Sequence, residues 1–156
     1  MRSDKKTFLL CIAIPVLVGA LAGFLSGSGA QKFAALNQPP LSPPGWLFPV
    51  VWTILYILMG LASYLVIASH TEPQQVADAI AVYAYQLVVN FLWPIFFFDF
   101  GWYLFSFFWL LLLWLLIFAT IRQFAPISKN AARLLVPYLA WVTFAGYLNL
   151  GIWWLN

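Results

Sequence analysis

Few groups in this chain could make or break a covalent bond. Cys11 is the one cysteine and His70 the one histidine, so neither an internal disulfide nor a histidine-built metal cluster can form within the chain. A cysteine and histidine act as nucleophile and base only with a third, orienting group and an oxyanion site. No residue near either position is placed to supply them. Asp78 and Asp99 stand near opposite ends of one apolar run, too far apart to divide acid and base roles. Glu72 and Asp78 read as solvated end charges. Hydrolytic and metal-assisted chemistry therefore have no candidate centre.

What does recur at meaningful spacing is aromatic. Pro49, Trp52, Tyr56, then Met59 and Gly60 side by side, then Ser63 recur at three- and four-residue spacing, and so do Tyr83, Gln86, Asn90, Trp93 and Phe97. Such spacing gathers each set on one face of a helix. Tyr138, Trp141, Ala145, Leu148 and Asn149 repeat the pattern, with a small residue between large ones. Faces of this kind suit a large, flat, apolar ligand held by stacking and a few hydrogen bonds. They suit helix-to-helix adhesion equally well, and Ala145 either opens space beside a ligand or lets two helices approach.

The elements that carry these faces follow from composition. Hydrophobic residues make up 65% of the 156 and charged residues 7%, against roughly 25% charged in a soluble domain. With a mean hydropathy of +0.95, the chain cannot coat a water-soluble globule. A cytosolic enzyme, a secreted disulfide module and a disordered tail are excluded, which leaves a polytopic membrane protein. Five apolar runs, at residues 8–26, 46–69, 76–98, 102–121 and 134–154, are long enough to cross a hydrocarbon core of about 30 Å. Continuous apolarity over that length predicts helices rather than barrel strands. The expected fold is one all-α domain, a bundle of five transmembrane helices. In lipid a mid-helix amide must find a partner, so Gln86 and Asn90 should point into the bundle.

The seven Lys and Arg residues form no patch for nucleic acid and instead set topology. Arg2, Lys5, Lys6, Arg122, Lys129 and Arg133 fall on one side and Lys32 on the other, which predicts the N-terminus inside and the C-terminus outside. A secretory leader shares part of the first pattern, from Lys5 and Lys6 to the small residues after Ser26. The apolar stretch between them is longer than a usual leader core of roughly 7 to 15 residues, so it reads as a span. Gly19-Ala20-Leu21-Ala22-Gly23 spells a small-xxx-small helix contact. Residues 27–45 hold Pro39, Pro40, Pro43 and Pro44, with Pro49 just beyond. That density predicts an extended, stiff loop, either a lid or a rigid connector with Trp46 at the interface. Residues 110–116 are nearly all Leu and Trp and are expected to supply bulk towards lipid or a second subunit.

Three segments in order carry a family resemblance: PPLSPPGWLFP running into VVWTILYILMGLASYLV, then QLVVNFLWPIFF, then LLVPYLAWVTFAGYLN. They resemble the tryptophan-rich sensory protein family, which includes the mitochondrial translocator proteins or peripheral benzodiazepine receptors, from about residue 19 to residue 156. The resemblance implies a five-helix bundle, commonly a homodimer, with a pocket beneath the first loop. It implies binding of tetrapyrroles such as protoporphyrin IX or haem, and of benzodiazepine and isoquinoline-type drugs, as ligands rather than required cofactors. Carried over by matching motif, the pocket positions are Trp52, Tyr56, Asn90, Trp93, Trp141, Ala145 and Leu148. Trp102 joins them through the Gly101-Trp102 pair.

Departures narrow the implication. Leu41 stands where many relatives carry Trp, and Phe33 where they carry Tyr. The cholesterol-recognition pattern of animal members is broken, since Leu148 is present but Leu150 and Trp154 fill its Tyr and basic positions. A bacterial membrane receptor, sensor or carrier for a tetrapyrrole is the expected role. The family is also associated with light-dependent breakdown of bound porphyrin, in which the pigment is the photosensitiser and Trp52 and Trp141 would be redox partners. An ion-coupled exporter of hydrophobic drugs is the weakest alternative, because no ionisable residue falls mid-span.

Overall fold

The computed structural model describes residues 5–27 and 29–156. Arg2 of the charge argument and Ser28 of the leader pattern lie outside them. Five helices are long and apolar enough to cross a membrane: α1 (Lys5–Leu25), α3 (Leu47–Ile67), α4 (Pro73–Pro94) with a π-helical continuation (Ile95–Asp99), α5 (Tyr103–Phe124) and α7 (Val136–Leu155). Two short helices, α2 (Gly29–Ala34) and α6 (Lys129–Leu134), complete the set, and the described residues include no strand. The five-span, all-α architecture expected from hydropathy is therefore the observed one.

Local chemistry fixes the ends. Pro73 opens α4 after an extended Glu72 (φ −51°, ψ 132°), a position where the missing N–H costs nothing. The Ser128 Oγ accepts from the Ala131 N–H at 3.2 Å and caps α6. Two connectors differ from expectation. The segment 27–45 is not extended throughout, because α2 forms ahead of Pro39, where no proline forbids it. The connector after residue 121 is mostly helical too, since α5 runs on to Phe124 and α6 carries Lys129 and Arg133.

The helices close into a ring in which α1 contacts α3 and α4, α5 contacts α4 and α7, and α3 runs close to α6. To α7 itself α3 reaches out through large rings, Phe48 to Trp141 at 5.8 Å and Trp52 to Tyr138 at 6.2 Å between centroids. Residues 110–116 do not face outward as a block. Leu110, Leu113 and, one turn on, Ile117 are buried, while Leu111, Leu112 and Leu115 are exposed; a run of uniform leucine has no polar contrast to show which stripe turns inward.

Glycines set the seam between α1 and α3. A Cβ on Gly60 would stand 2.6 Å from the Cys11 carbonyl oxygen and 2.7 Å from Ile12 Cα, and one on Gly19 would overlap the Tyr56 ring. The small-xxx-small pattern is thus only half used, because a Cβ on Gly23 would meet nothing within 4 Å. Gly60→Ala should cost about 1–3 kcal/mol through backbone overlap. Gly23→Ala should be neutral or gain up to about 1 kcal/mol from helix propensity. Thermal unfolding of the two variants in detergent measures the difference, and equal melting temperatures would contradict this account of the seam.

Candidate functional site

The third span is where the bundle is most polar inside. Tyr56 donates its O–H to Asn90 Oδ1 at 2.6 Å, Asn90 Nδ2 donates to the Tyr138 oxygen at 2.6 Å, and Tyr138 donates to Gln86 Oε1 at 2.7 Å. Gln86 Nε2 then approaches Met59 Sδ at 3.9 Å. Donor and acceptor alternate along this chain, and Tyr56, Gln86, Asn90 and Tyr138 are all buried. The two amides point into the bundle because hydrocarbon offers them no other partner. Together they tie α3, α4 and α7 at one level.

Above that level, on the lid side, lies a cavity of about 510 Å³, within the range of sites that hold drug-sized ligands. Its walls are largely aromatic. Trp52 tilts against Tyr56 (5.7 Å, 31°), and Trp93 stacks on Phe97 (5.0 Å, 23°). Trp93 is fixed further by donating its Nε1–H to Asn149 Oδ1 at 3.0 Å, while Asn149 Nδ2 donates to the Tyr103 carbonyl at 2.7 Å. Ala145 and Leu148 of α7 and Leu110 and Leu113 of α5 supply the aliphatic side.

Pro94 shapes the wall next to the lid. Lacking an N–H and crowding the carbonyl before it, it ends the α-helical ladder, and the chain widens into the π turn closed by Phe100 N–H to the Ile95 carbonyl at 3.1 Å. That turn sets Phe97 and Phe98 on the cavity and Asp99 beside Lys32 of α2, N to O 3.5 Å. The loop over the cavity is then held to α7. Asn156 Oδ1 accepts from the Asn37 N–H at 3.1 Å, Asn156 Nδ2 donates to the Asn37 carbonyl at 2.9 Å, and Tyr147 O–H donates to the Pro40 carbonyl at 2.5 Å. Within this loop, Phe33 of α2 is buried and lines the cavity.

Polar accounting leaves four buried atoms over among the described residues, two of them on cavity residues. Among the described residues, Ser26 Oγ and Trp141 Nε1 are buried, lie on residues that line the cavity and have no hydrogen-bond partner. Buried polar groups are normally satisfied, and Ser26 and Trp141 both belong to the cavity wall.

A family profile settles the lineage, with the TspO/MBR family matching residues 11–155. The chain belongs to the TspO/MBR family. It is 40% identical over 157 residues to the tryptophan-rich protein TspO of Chlorobaculum tepidum, covering 100% of this chain and 99% of that one. It is 38% identical to the Homo sapiens translocator protein, covering 94% and 86% of the two chains, and 36% identical to the tryptophan-rich sensory protein of Cereibacter sphaeroides, covering 92% and 85%. This TspO/MBR chain brings Trp52, Tyr56, Asn90, Trp93, Trp141, Ala145 and Leu148 together around one cavity.

Trp102 is the exception. It is 52% exposed, stacks on Phe96 (6.0 Å, 11°), and faces a shallow surface depression shared with Tyr103, Trp153 and Trp154. The positive φ of Gly101 (68°) turns the chain between the π segment and α5 and leaves Trp102 on the outside. Sequence reasoning in turn put Phe97 on the face with Trp93 but missed Ser26, Phe98, Leu110 and Leu113 as wall residues. For Phe97 the helical period gave a signal; for the others no contrast of residue type marked the inward side.

The hydrogen-bonded chain gives a graded expectation. Tyr138→Phe strands both Asn90 Nδ2 and Gln86 Oε1 and should cost about 2–3 kcal/mol, whereas Tyr56→Phe strands Asn90 Oδ1 alone and should cost about 1 kcal/mol. Thermal unfolding in detergent ranks the two, and the reverse order would contradict the directionality assigned.

Proposed function

We propose that this membrane protein is a tetrapyrrole receptor or carrier that holds protoporphyrin IX, or a similarly flat amphiphile, in the cavity under the lid. The observation that carries the reading is an aromatic cavity with two buried hydrogen-bonding atoms left unpartnered, Ser26 Oγ and Trp141 Nε1. Rings on opposite walls suit a macrocycle by stacking. The polar edge is better served by these two atoms than by Asn90, whose oxygen and nitrogen are engaged by Tyr56 and Tyr138. Benzodiazepine and isoquinoline-type molecules have the same character, an apolar planar body with a carbonyl acceptor. Relatives named translocator and sensory proteins agree with a role in binding and relay rather than conventional catalysis.

Titration of the porphyrin Soret band against purified protein tests this. Ala145→Phe should fill the slot and abolish binding. Trp93→Ala should weaken it roughly tenfold, at about 1 kcal/mol per lost ring pair plus lost apolar contact. Unchanged affinity in both variants would place the ligand elsewhere. A second reading, light-dependent loss of the bound pigment, draws on the presence of both Trp52 and Trp141 on the cavity wall. Illumination that bleaches porphyrin with wild-type protein but not with Trp52→Phe, at equal affinity, would select it.

Orientation and assembly complete the proposal. Lys5, Lys6, Arg122, Lys129 and Arg133 lie at the ends of the helices away from the lid, and Lys32 lies in the lid. This charge bias supports a lid outside the cell and an N-terminus on the cytoplasmic side of a bacterial membrane. An impermeant thiol reagent applied to intact cells should label a cysteine placed at Lys32 and spare one placed at Lys129; the opposite pattern overturns the assignment. The outward face of α5, with Phe108, Leu115 and Phe118 exposed, offers a flat surface for a homodimer. Cross-linking followed by mass measurement in detergent decides between dimer and monomer.

A further inference from the structure

The seam between α1 and α3 is closed along one half and open along the other. Away from the lid the two antiparallel helices meet three times in register: Phe8 against Tyr64 (rings 5.2 Å apart), Cys11 and Ile12 against Gly60, and Gly19 against Tyr56. Gly23 comes one turn later on the same face as Gly19, so the next contact is due there. It is missing, since a Cβ on Gly23 would meet nothing within 4 Å. The residues flanking this gap, Ala20 and Gly23 on α1 and Pro49 and Thr53 on α3, are exposed and also line the cavity.

Three other approaches to the cavity are filled by side chains or tied down. Between α3 and α7 the Phe48 and Trp141 rings stand edge to face. Between α1 and α4, Ala22 is 3% exposed, and the Phe98 ring lies within 3.6 Å of a Cβ placed on Gly29. From water, the lid is tied to α7 by the Asn37–Asn156 and Pro40–Tyr147 hydrogen bonds and to the π segment by Lys32 and Asp99. On a span the gap between α1 and α3 faces hydrocarbon, not solvent.

We propose that the cavity loads from the bilayer, through a lateral portal between the lid-side halves of α1 and α3 whose width is set by Ala20, Gly23 and Thr53. The occupant is then an amphiphile that first partitions into the lid-side leaflet, its planar apolar body passing between the helices. Small residues at the sill are required because any larger side chain on that face of α1 would stand in the opening. The lid serves as a roof and does not need to open for each exchange. This inference rests on the cavity being a ligand site, and its test separates the two.

Protoporphyrin IX is added to proteoliposomes and its capture followed by stopped-flow Soret absorbance. Gly23→Phe and, should that variant misfold, Thr53→Phe should slow association and dissociation alike by about tenfold or more, whereas damage to the cavity itself would speed dissociation. Joining lid to α7 by a short bis-thiol reagent, in an Asn37→Cys, Asn156→Cys, Cys11→Ser protein, should leave the capture rate within about twofold. Arrest of capture by the lid link, with normal rates in the sill variants, overturns the portal. If wild-type protein captures no porphyrin, the proposed ligand falls. The portal is then decided by Gly23→Cys in the Cys11→Ser background on sealed proteoliposomes. Reaction with a membrane-partitioning maleimide and not with a charged, impermeant one supports it. Reaction with the charged reagent, or with neither, overturns it.

Discussion

Everything on the lid side of the bundle depends on four side chains that have nowhere else to go. In water, the hydroxyls of Tyr56 and Tyr138 and the amides of Gln86 and Asn90 would trade protein partners for solvent at little cost. In hydrocarbon that exchange is unavailable, so their chain of alternating donors and acceptors holds three helices at a fixed level. A bundle held together by apolar packing alone could slide or collapse into its own void, because lipid tails are as apolar as leucine. The polar chain instead acts as a spacer, and the volume beyond it stays open.

This arrangement explains why aromatic residues are so abundant. Trp93 is locked by Asn149 and by Phe97, Trp52 leans on Tyr56, and Tyr147 ends on the lid. Each ring gives a rigid surface at low cost in side-chain freedom, and Trp93 and Tyr147 also carry a polar atom whose hydrogen bond anchors them. Walls made of leucine would pack as well but would adapt to fill the space. Stiff rings, some of them pinned by hydrogen bonds, keep it open.

Much of the fold could be read from the sequence because hydrocarbon imposes a length and a secondary structure on each apolar run. The faces holding Trp52 and Tyr56, Asn90 and Trp93, and Trp141 and Ala145 were legible too, since amides and small residues interrupt their periodicity. Where contrast fails, the reading fails: the leucine run of α5 hid Leu110 and Leu113 on the inside. Trp102 was misplaced for another reason. Its position hangs on the π turn after Pro94 and on the φ of Gly101, backbone events that shift the direction of every later side chain and leave little trace in residue type. Ser26 was invisible because a lone serine at a helix end is ordinary until its neighbours are known.

The wide turn at Ile95–Asp99 has one more consequence. An extra residue in an α-helix would rotate everything after it by about 100°, whereas a π turn absorbs the surplus locally. Below Pro94, α4 presents Gln86 and Asn90 to the floor; beyond it, Phe97, Phe98 and Asp99 meet the cavity wall and the roof. The two registers are uncoupled by the turn between them. Descendants of this chain can therefore retune how the roof is seated, by substitution or by losing a single residue there, without disturbing the angular alignment of the floor. The π turn makes the site modular, with a conservative base and an adaptable rim on one continuous helix.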